Sequence, residues 1–405
     1  MTASTAQELL VRLLEPGNRA NPYPAYADIR RLGPLRIPEL NLTVFSSYRD
    51  CDDVLRHPDS ASDFRKATPM EGRPDADDVD EYGEPSFLFL DPPDHTRLRR
   101  LVSKAFVPKV VNALEPDITA LVSDLLDAAA EKGEFDVVSD LAHPLPVAVI
   151  CRLLGVPIEN EHEFSRASTL SAQSLDPFIT FTGHAPDNQK SQIEAELWLY
   201  EYLGELIAKR RSDPGDDLMS GLIHVEESGD QLTEQEIIAT CSLLLVAGHE
   251  TTVNLIANAI LAMVRQPEQW TALARDASRV SAVVEETLRY DPPVQLNGRI
   301  AAADMTIGDT GIARGDTMML LLAAAQRDPA LCERPDEFDP DRDSIRHLGF
   351  GKGPHFCLGA PLARLEAAIA LSAVTARFPA CRPAGEPQYK QNVTLRGMSA
   401  FPVTV

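Results

Sequence analysis

The sequence predicts a mainly α protein with a few small β-sheets, and three observations carry that reading. Apolar residues recur at helical spacing through most of the chain. One such segment, residues 233–266, is far longer than an ordinary helix. Strand-like alternation is confined to short stretches within 36–46, 294–312 and 393–405.

Composition narrows the class further. With 405 residues, 44% hydrophobic and 24% charged, the chain resembles an ordinary globular protein with ample material for a core. No run of about 18 apolar residues occurs, so no membrane span is expected. Residues 1–12 lack a basic start followed by an apolar stretch, so no secretory signal is expected. A net charge of −23 argues against general nucleic-acid binding and reads as a solvated acidic surface. The six cysteines are scattered, with no CxxC pair, which excludes the usual zinc spacing and points to a reducing cytoplasm.

In chain order, a helical pattern over 21–35 follows an Asn-Pro-Tyr-Pro turn. Residues 36–37 and 43–46 read as a small hairpin, and 48–56 as a helix. Residues 66–85 are polar, acidic and without periodicity, either a lid or binding loop or a disordered connection. Asp91 is the expected N-cap of the next helix, with Pro92 its first residue. His95 and Arg99 share a face of that helix, either a solvated basic face or a seat for paired carboxylates. Helices are expected over 110–132, 141–154 and 159–170, with Gly133 and Gly155 as stops. Residues 171–188 hold Phe178 and Phe181 without a clear period, and helix resumes over 189–211.

Thr233 and Glu236 form a capping box at the start of the long segment, which Pro267 ends. Such a helix would span roughly 50 Å. It is apolar on nearly every face and should be buried. Its middle, Ala247-Gly-His-Glu-Thr-Thr, is a polar island, where Glu250 and Thr251 are costly unless bonded or functional. Gly248 and the two threonines are expected to open the helix locally. Downstream, Glu286 and Arg289 lie three apart on one helix face. Short strands are expected within 294–312, a short helix over 320–327, and strand over 393–405 with Gly397-Met398 as a turn.

The most informative stretch runs Phe350-Gly-Lys-Gly-Pro-His-Phe-Cys-Leu-Gly359, just before a helical run over 362–378. Cys357 therefore sits at or just before a helix N-terminus, whose N–H groups are expected to lower its thiol pKa. Gly351, Gly353 and Gly359 let the backbone approach something large and flat. A thiolate on such a loop can serve as an axial sulfur ligand to haem iron. With no C-x-x-C-H pattern, that haem would be held non-covalently.

Phe350, Gly353, His355, Cys357 and Gly359 resemble, position by position, the haem-binding signature of the cytochrome P450 superfamily, in its soluble bacterial, actinobacterial-type form. The polar island resembles the family's oxygen-activating I helix, the segment 91–100 its C helix, and Glu286 with Arg289 its ExxR motif. The four motifs occur in the family's order. The resemblance implies a helix-rich triangular prism with small β-sheets and a long central helix over haem, built as one domain over 1–405. Within it, 64–90 would form a lid loop and 171–211 a roof.

The resemblance also implies roles. Cys357 would be the axial ligand of haem b, and Glu250 and Thr251 would deliver protons to bound dioxygen. His95, Arg99, Arg299 and His355 would hold the propionates, with Phe350, Gly351, Gly359 and Ala247 also against the cofactor. Arg342 would complete a structural group with Glu286 and Arg289, although Asp343 stands where the family often has phenylalanine. The implied activity is insertion of one oxygen atom of O2 into a C–H bond of a lipophilic molecule, with azoles as inhibitors. Phe89, Phe178, Leu244, Val294, Leu296 and Met398 would face that substrate. Electrons would come from a ferredoxin and its reductase, docking on Arg97, Arg100, Lys104, Lys109, Lys352 and Arg364 of a cytoplasmic monomer. A peroxide-driven peroxygenase and a non-catalytic haem sensor compete, but both leave Glu250–Thr251 without its use. A cysteine hydrolase built on Cys357 and His355 lacks an oxyanion motif.

Overall fold

The computed structural model describes residues 3–69, 84–132, 134–182, 185–225 and 232–405. Most of the expected lid (70–83), together with Gly133, lies outside the described residues. The fold is built around the helix Glu234–Val264, 31 residues long. Its capping box is present as expected: the Thr233 hydroxyl accepts from the Glu236 N–H, and the Glu236 carboxylate from the Thr233 N–H. This helix is long and apolar enough to cross a membrane, yet 72% of its apolar window is buried inside the fold. Helices Pro144–Leu154, Glu161–Gln173, Gln189–Ser212, Val280–Tyr290 and Ala360–Arg377 pack against it. One large core formed by these elements surrounds it.

β structure is sparse and peripheral. The largest sheet has the spatial order Leu35–Ile37, Leu42–Phe45, Thr317–Leu320, Asn297–Ala301 and Ser60–Ala61. Leu42–Phe45 runs parallel to Thr317–Leu320, and the other pairs are antiparallel. Period-two alternation sends Met319 into one small core and Met318 with Leu320 into another, so the sheet is covered on both faces. Its strand Asn297–Ala301 carries Arg299, opposite Met318. A three-stranded sheet joins Glu134–Asp136, Pro402–Thr404 and Arg382–Pro383.

Several boundaries differ from the sequence expectation for local reasons. The helix expected over 110–132 is two helices, Pro108–Ala113 and Glu115–Lys132, because Pro116 has no N–H to continue the ladder. Pro144 likewise starts a helix, Pro144–Leu154, after a π-turn at Val138–Ala142. Asp91 is not an N-cap: the helix is Asp94–Val102, and the Asp91 carboxylate accepts from the Ser62 N–H (2.8 Å) and Lys66 Nζ (2.6 Å). Residues 317–320 are strand, with helix only over Leu322–Gln326. The segment 171–211 comprises the end of Glu161–Gln173, the short helix Phe178–Thr182 and most of the helix Gln189–Ser212. The C-terminal turn is 390–397, closed by the Lys390 N–H on the Gly397 carbonyl at 3.0 Å. Met398 instead lies in a strand, fully buried.

The candidate haem-thiolate site

The sulfur loop is shaped by two glycines. Gly351 and Gly353 have φ of +67° and +69°, the left-handed region that side chains resist. A Cβ on Gly353 would also stand 2.5 Å from the Leu55 carbonyl oxygen. The loop closes on itself through Gly351 N–H to the Leu348 carbonyl and Cys357 N–H to the Phe350 carbonyl, both 2.8 Å. The Phe350 ring lies under the Arg364 guanidinium, 4.5 Å away.

Helix Ala360–Arg377 begins just after Cys357, with Gly359 at its N-cap. The N–H groups of Gly359 and Ala360 bond the sulfur, and the Arg99 and Arg364 cations lie near it. Burial nevertheless outweighs all four and pushes the thiol up. The expectation of a lowered pKa therefore fails for the protein alone. A sulfur already supplied with donors but short of positive charge fits an iron ligand, since a bound metal ion deprotonates a coordinating thiol.

A second cluster has donors without an acceptor. His95 is 2% exposed, and neither of its ring nitrogens has a partner. Its ring lies 4.1 Å from that of His355, centroid to centroid. Burial, then Arg299 and His95, depress His355 to about 3. Arg299 is buried, with Nη1 bonded only to neutral oxygens, Asn297 Oδ1 (2.6 Å) and the Gly298 carbonyl (2.8 Å). Burial pulls its guanidinium down to about 10. Arg99 donates to the Phe356 carbonyl beside Cys357. The nearby Asp91 carboxylate is occupied by Ser62 and Lys66. Buried cations without counter-charge are costly, so this cluster fits a dianion such as the two propionates of haem b.

The long helix has one uncovered stripe. Ala247 is exposed, and Ser242, Leu243, Val246, Gly248 and Thr251 around it are half-buried, whereas every residue from Thr252 to Val264 is buried. The expected opening is absent, and helix continues through the polar island. The Thr251 and Thr252 hydroxyls instead donate to the carbonyls of Ala247 (2.8 Å) and Gly248 (3.2 Å). Gly248 gives close approach to Ile150, whose Cδ1 would stand 3.0 Å from a Cβ there.

Glu250 points elsewhere. Its carboxylate is buried, with Oε1 accepting from Thr169 Oγ1 at 2.8 Å and Oε2 from Lys390 Nζ at 2.6 Å. Burial opposes ionisation, but Lys390, His249 and Thr169 prevail and hold the carboxyl at about 2. His249 is fully buried, with Nδ1 at 2.6 Å from the Leu245 carbonyl and Nε2 unpartnered. Lys390 and Thr169 had escaped the sequence reading. A buried carboxylate demands a cation, but nothing in the local sequence says that one arrives from 140 residues away.

The remaining predicted residues divide. Glu286, Arg289 and Arg342 come together: Arg289 makes two 2.7 Å bonds to Glu286, and Arg342 Nε one of 3.1 Å. Arg289 also binds the carbonyls of Gln326, Pro335 and Glu337. In the expected basic patch, Arg97 is paired with Glu236 and Arg364 with Glu285, leaving Lys104 and Lys109 exposed beside exposed Val107. Of the expected pocket residues, Leu244, Leu296 and Met398 are packed into cores, while Phe89, Phe178 and Val294 are half-buried.

The family model described as Cytochrome P450 matches residues 51–395. The crystal structure of Mycobacterium smegmatis CYP164A2 in its ligand-free state is 64% identical, with a TM-score of 0.94, covering 98% of this chain and 100% of that one. The same protein with econazole bound gives 62% and 0.92, with the same coverage. Cytochrome P450 107B1 of Saccharopolyspora erythraea is 40% identical over 93% of both chains. Vitamin D(3) 25-hydroxylase of Pseudonocardia autotrophica is 39% identical over 95% of this chain and 94% of its own. The chain belongs to the cytochrome P450 family, as a mono-oxygenase that holds haem b through a cysteine thiolate.

Proposed function

We propose that this mono-oxygenase hydroxylates a lipophilic small molecule with electrons from a ferredoxin, and that Cys357 is its iron ligand. The observation that carries the reading is the pairing of a donor-supplied, half-buried sulfur with a donor cluster lacking an anion. Haem b, when bound, activates dioxygen and oxidises the substrate C–H bond. In this account the protein's own residues do four things. Cys357 supplies the thiolate. Arg99 and Arg299 neutralise the propionates, and His95 and His355 orient them as hydrogen-bond donors. Ala247 and Thr251 form the uncovered stripe facing the reaction space, where the Thr251 hydroxyl, which here donates to the Ala247 carbonyl, would turn to present its proton. Glu250, one residue away, is the acid–base group that replenishes it.

The same reading extends to partners. A vitamin D(3) hydroxylase and a myristate-bound neighbour among the relatives support a lipophilic substrate, and the econazole complex supports azole binding. Lys104 and Lys109, with exposed Val107 and Phe356 beside Cys357, support docking of an acidic ferredoxin on an otherwise acidic monomer. Cysteine usage supports a cytoplasmic setting. The test is an optical titration of the ferric protein with fatty acids, sterols and polyketide-like lactones. A saturable low-to-high-spin change with one class identifies the substrate class. Absence of any change with all three, in protein that takes up haem normally, contradicts a lipophilic substrate.

A further inference from the structure

A shallow groove of about 590 Å³ opens on the surface along one face of the helix Glu161–Gln173, lined by His143, Glu161, His162, Ser165, Arg166 and Thr169. Its inner end is Thr169, half-buried, whose hydroxyl donates to Glu250 Oε1 at 2.8 Å. At its other side His143 Nε2 lies 3.0 Å from Ser165 Oγ, and His143 Nδ1 lies 3.8 Å from Glu161 Oε1. Ser165 and Thr169 are four apart on one helix, so their hydroxyls share the face that lines the groove. A single hydroxyl therefore separates groove solvent from a carboxylate that is otherwise sealed.

We propose that this groove is the proton inlet of the reaction, and that Thr169 is the relay that passes protons from it to Glu250. The inference rests on the proton role given to Glu250 above. In each inward step a hydrated proton in the groove bonds to Thr169 Oγ as the Thr169 O–H bond breaks and an O–H bond forms at Glu250. No alkoxide forms, one proton enters and no electron moves. Lys390, the other partner of Glu250, serves as counter-charge, because an ammonium is a far weaker acid than a carboxylic acid. The His143–Glu161 pair marks the outer mouth, where a titratable ring and a carboxylate meet water. A merely structural Thr169 would satisfy the Glu250 lone pair and nothing more.

The test uses the haem-loaded enzyme with NADPH, a ferredoxin and its reductase, and dioxygen alone as the probe, in H2O and in D2O. Thr169→Val keeps the shape and removes the relay. It should slow dioxygen reduction about tenfold and raise the solvent isotope effect, while Thr169→Ser should restore both to within about twofold of wild type. Wild-type rate and isotope effect in Thr169→Val, in protein of normal haem content, would overturn the inlet. A second readout needs no turnover. Deuterium exchange at the imidazole C2 position, followed by mass spectrometry, should be several-fold faster at His143 than at the sealed His249 (about fivefold or more). Equally slow exchange would mean a closed groove and would also overturn it. Glu250→Gln is measured alongside. Loss of dioxygen reduction there but not in Thr169→Val removes the inlet and leaves the Glu250 role standing, whereas wild-type behaviour in both removes the Glu250 role as well.

Discussion

At the scale of single residues, charge without compensation is the informative signal. Glu250 is held near 2 because a lysine and a threonine offset the cost of burial. Lys390→Met removes the main offset and leaves the burial, so the Glu250 carboxyl should rise above its ordinary 4.5, measurable by carbon-13 NMR of labelled glutamate. The sign for stability follows from the depressed pKa. The contribution is fully present above about pH 4.5 and is lost as pH falls towards about 2, and Lys390→Met should lose it already near neutrality. Arg299 gives a parallel case, a buried cation with neutral oxygens for partners. Arg299→Gln should release haem to apomyoglobin at least tenfold faster, by loss of about 1.5–3 kcal/mol of charge-assisted hydrogen bonding. Unchanged haem transfer would remove Arg299 from the propionate site. The sequence made the acid and the sulfur legible, because a carboxylate in an apolar helix and a cysteine on a glycine loop are local anomalies. Their partners were illegible, because Lys390 and Thr169 carry no local anomaly of their own.

At the scale of elements, the helix caps and the charged triad were readable for the same reason. The capping box at Thr233–Glu236 and the Glu286–Arg289 spacing are short-range patterns with short-range chemistry. Apolar periodicity runs straight through Pro116 and Pro144, but each proline sets a helix boundary there. Glu286 and Arg289 are fully buried and Arg342 mostly so. Arg342→Met leaves Glu286 paired with Arg289 but removes a charge-assisted hydrogen bond, and should lower stability by about 1.5–3 kcal/mol in urea unfolding. A loss below 1 kcal/mol would place the burden on Arg289 and its carbonyl partners alone. The helix Ala360–Arg377 hides another titration. Glu366 is 2% exposed with Oε2 unpartnered, and burial raises its carboxyl to about 8. The folded state then keeps a proton that the unfolded chain releases above about 4.5, so stability declines as pH rises from there to about 8. Glu366→Gln should abolish that decline, gaining up to about 4 kcal/mol on wild type between pH 5 and pH 8.

At the scale of the whole molecule, a net charge of −23 and an exposed pair of lysines, Lys109 on a helix that packs beside Ala360–Arg377 and Lys104 just before it, make recognition a local exception to the global field. Lys104→Glu with Lys109→Glu should slow reduction by ferredoxin about tenfold, more at low salt, and leave reduction by dithionite unchanged. Equal rates with ferredoxin would move the docking face elsewhere. The architecture itself was legible from motif order, since four separated signatures constrain one fold more tightly than any stretch of periodicity does. Which apolar residues face the substrate was not legible: Leu296 and Met398 look like pocket residues in sequence and are core residues in space, because strand pairing and core packing claim them first.

The account stands or falls on Cys357. The measurement that reaches it most directly is the absorption spectrum of the reduced, carbon-monoxide-bound protein, taken for wild type and for Cys357→His at equal haem content. The account predicts the strongly red-shifted band of a thiolate ligand in wild type and its replacement by an imidazole-type band in the variant. An imidazole-type band in freshly purified wild type, or a thiolate band that survives the substitution, would contradict it.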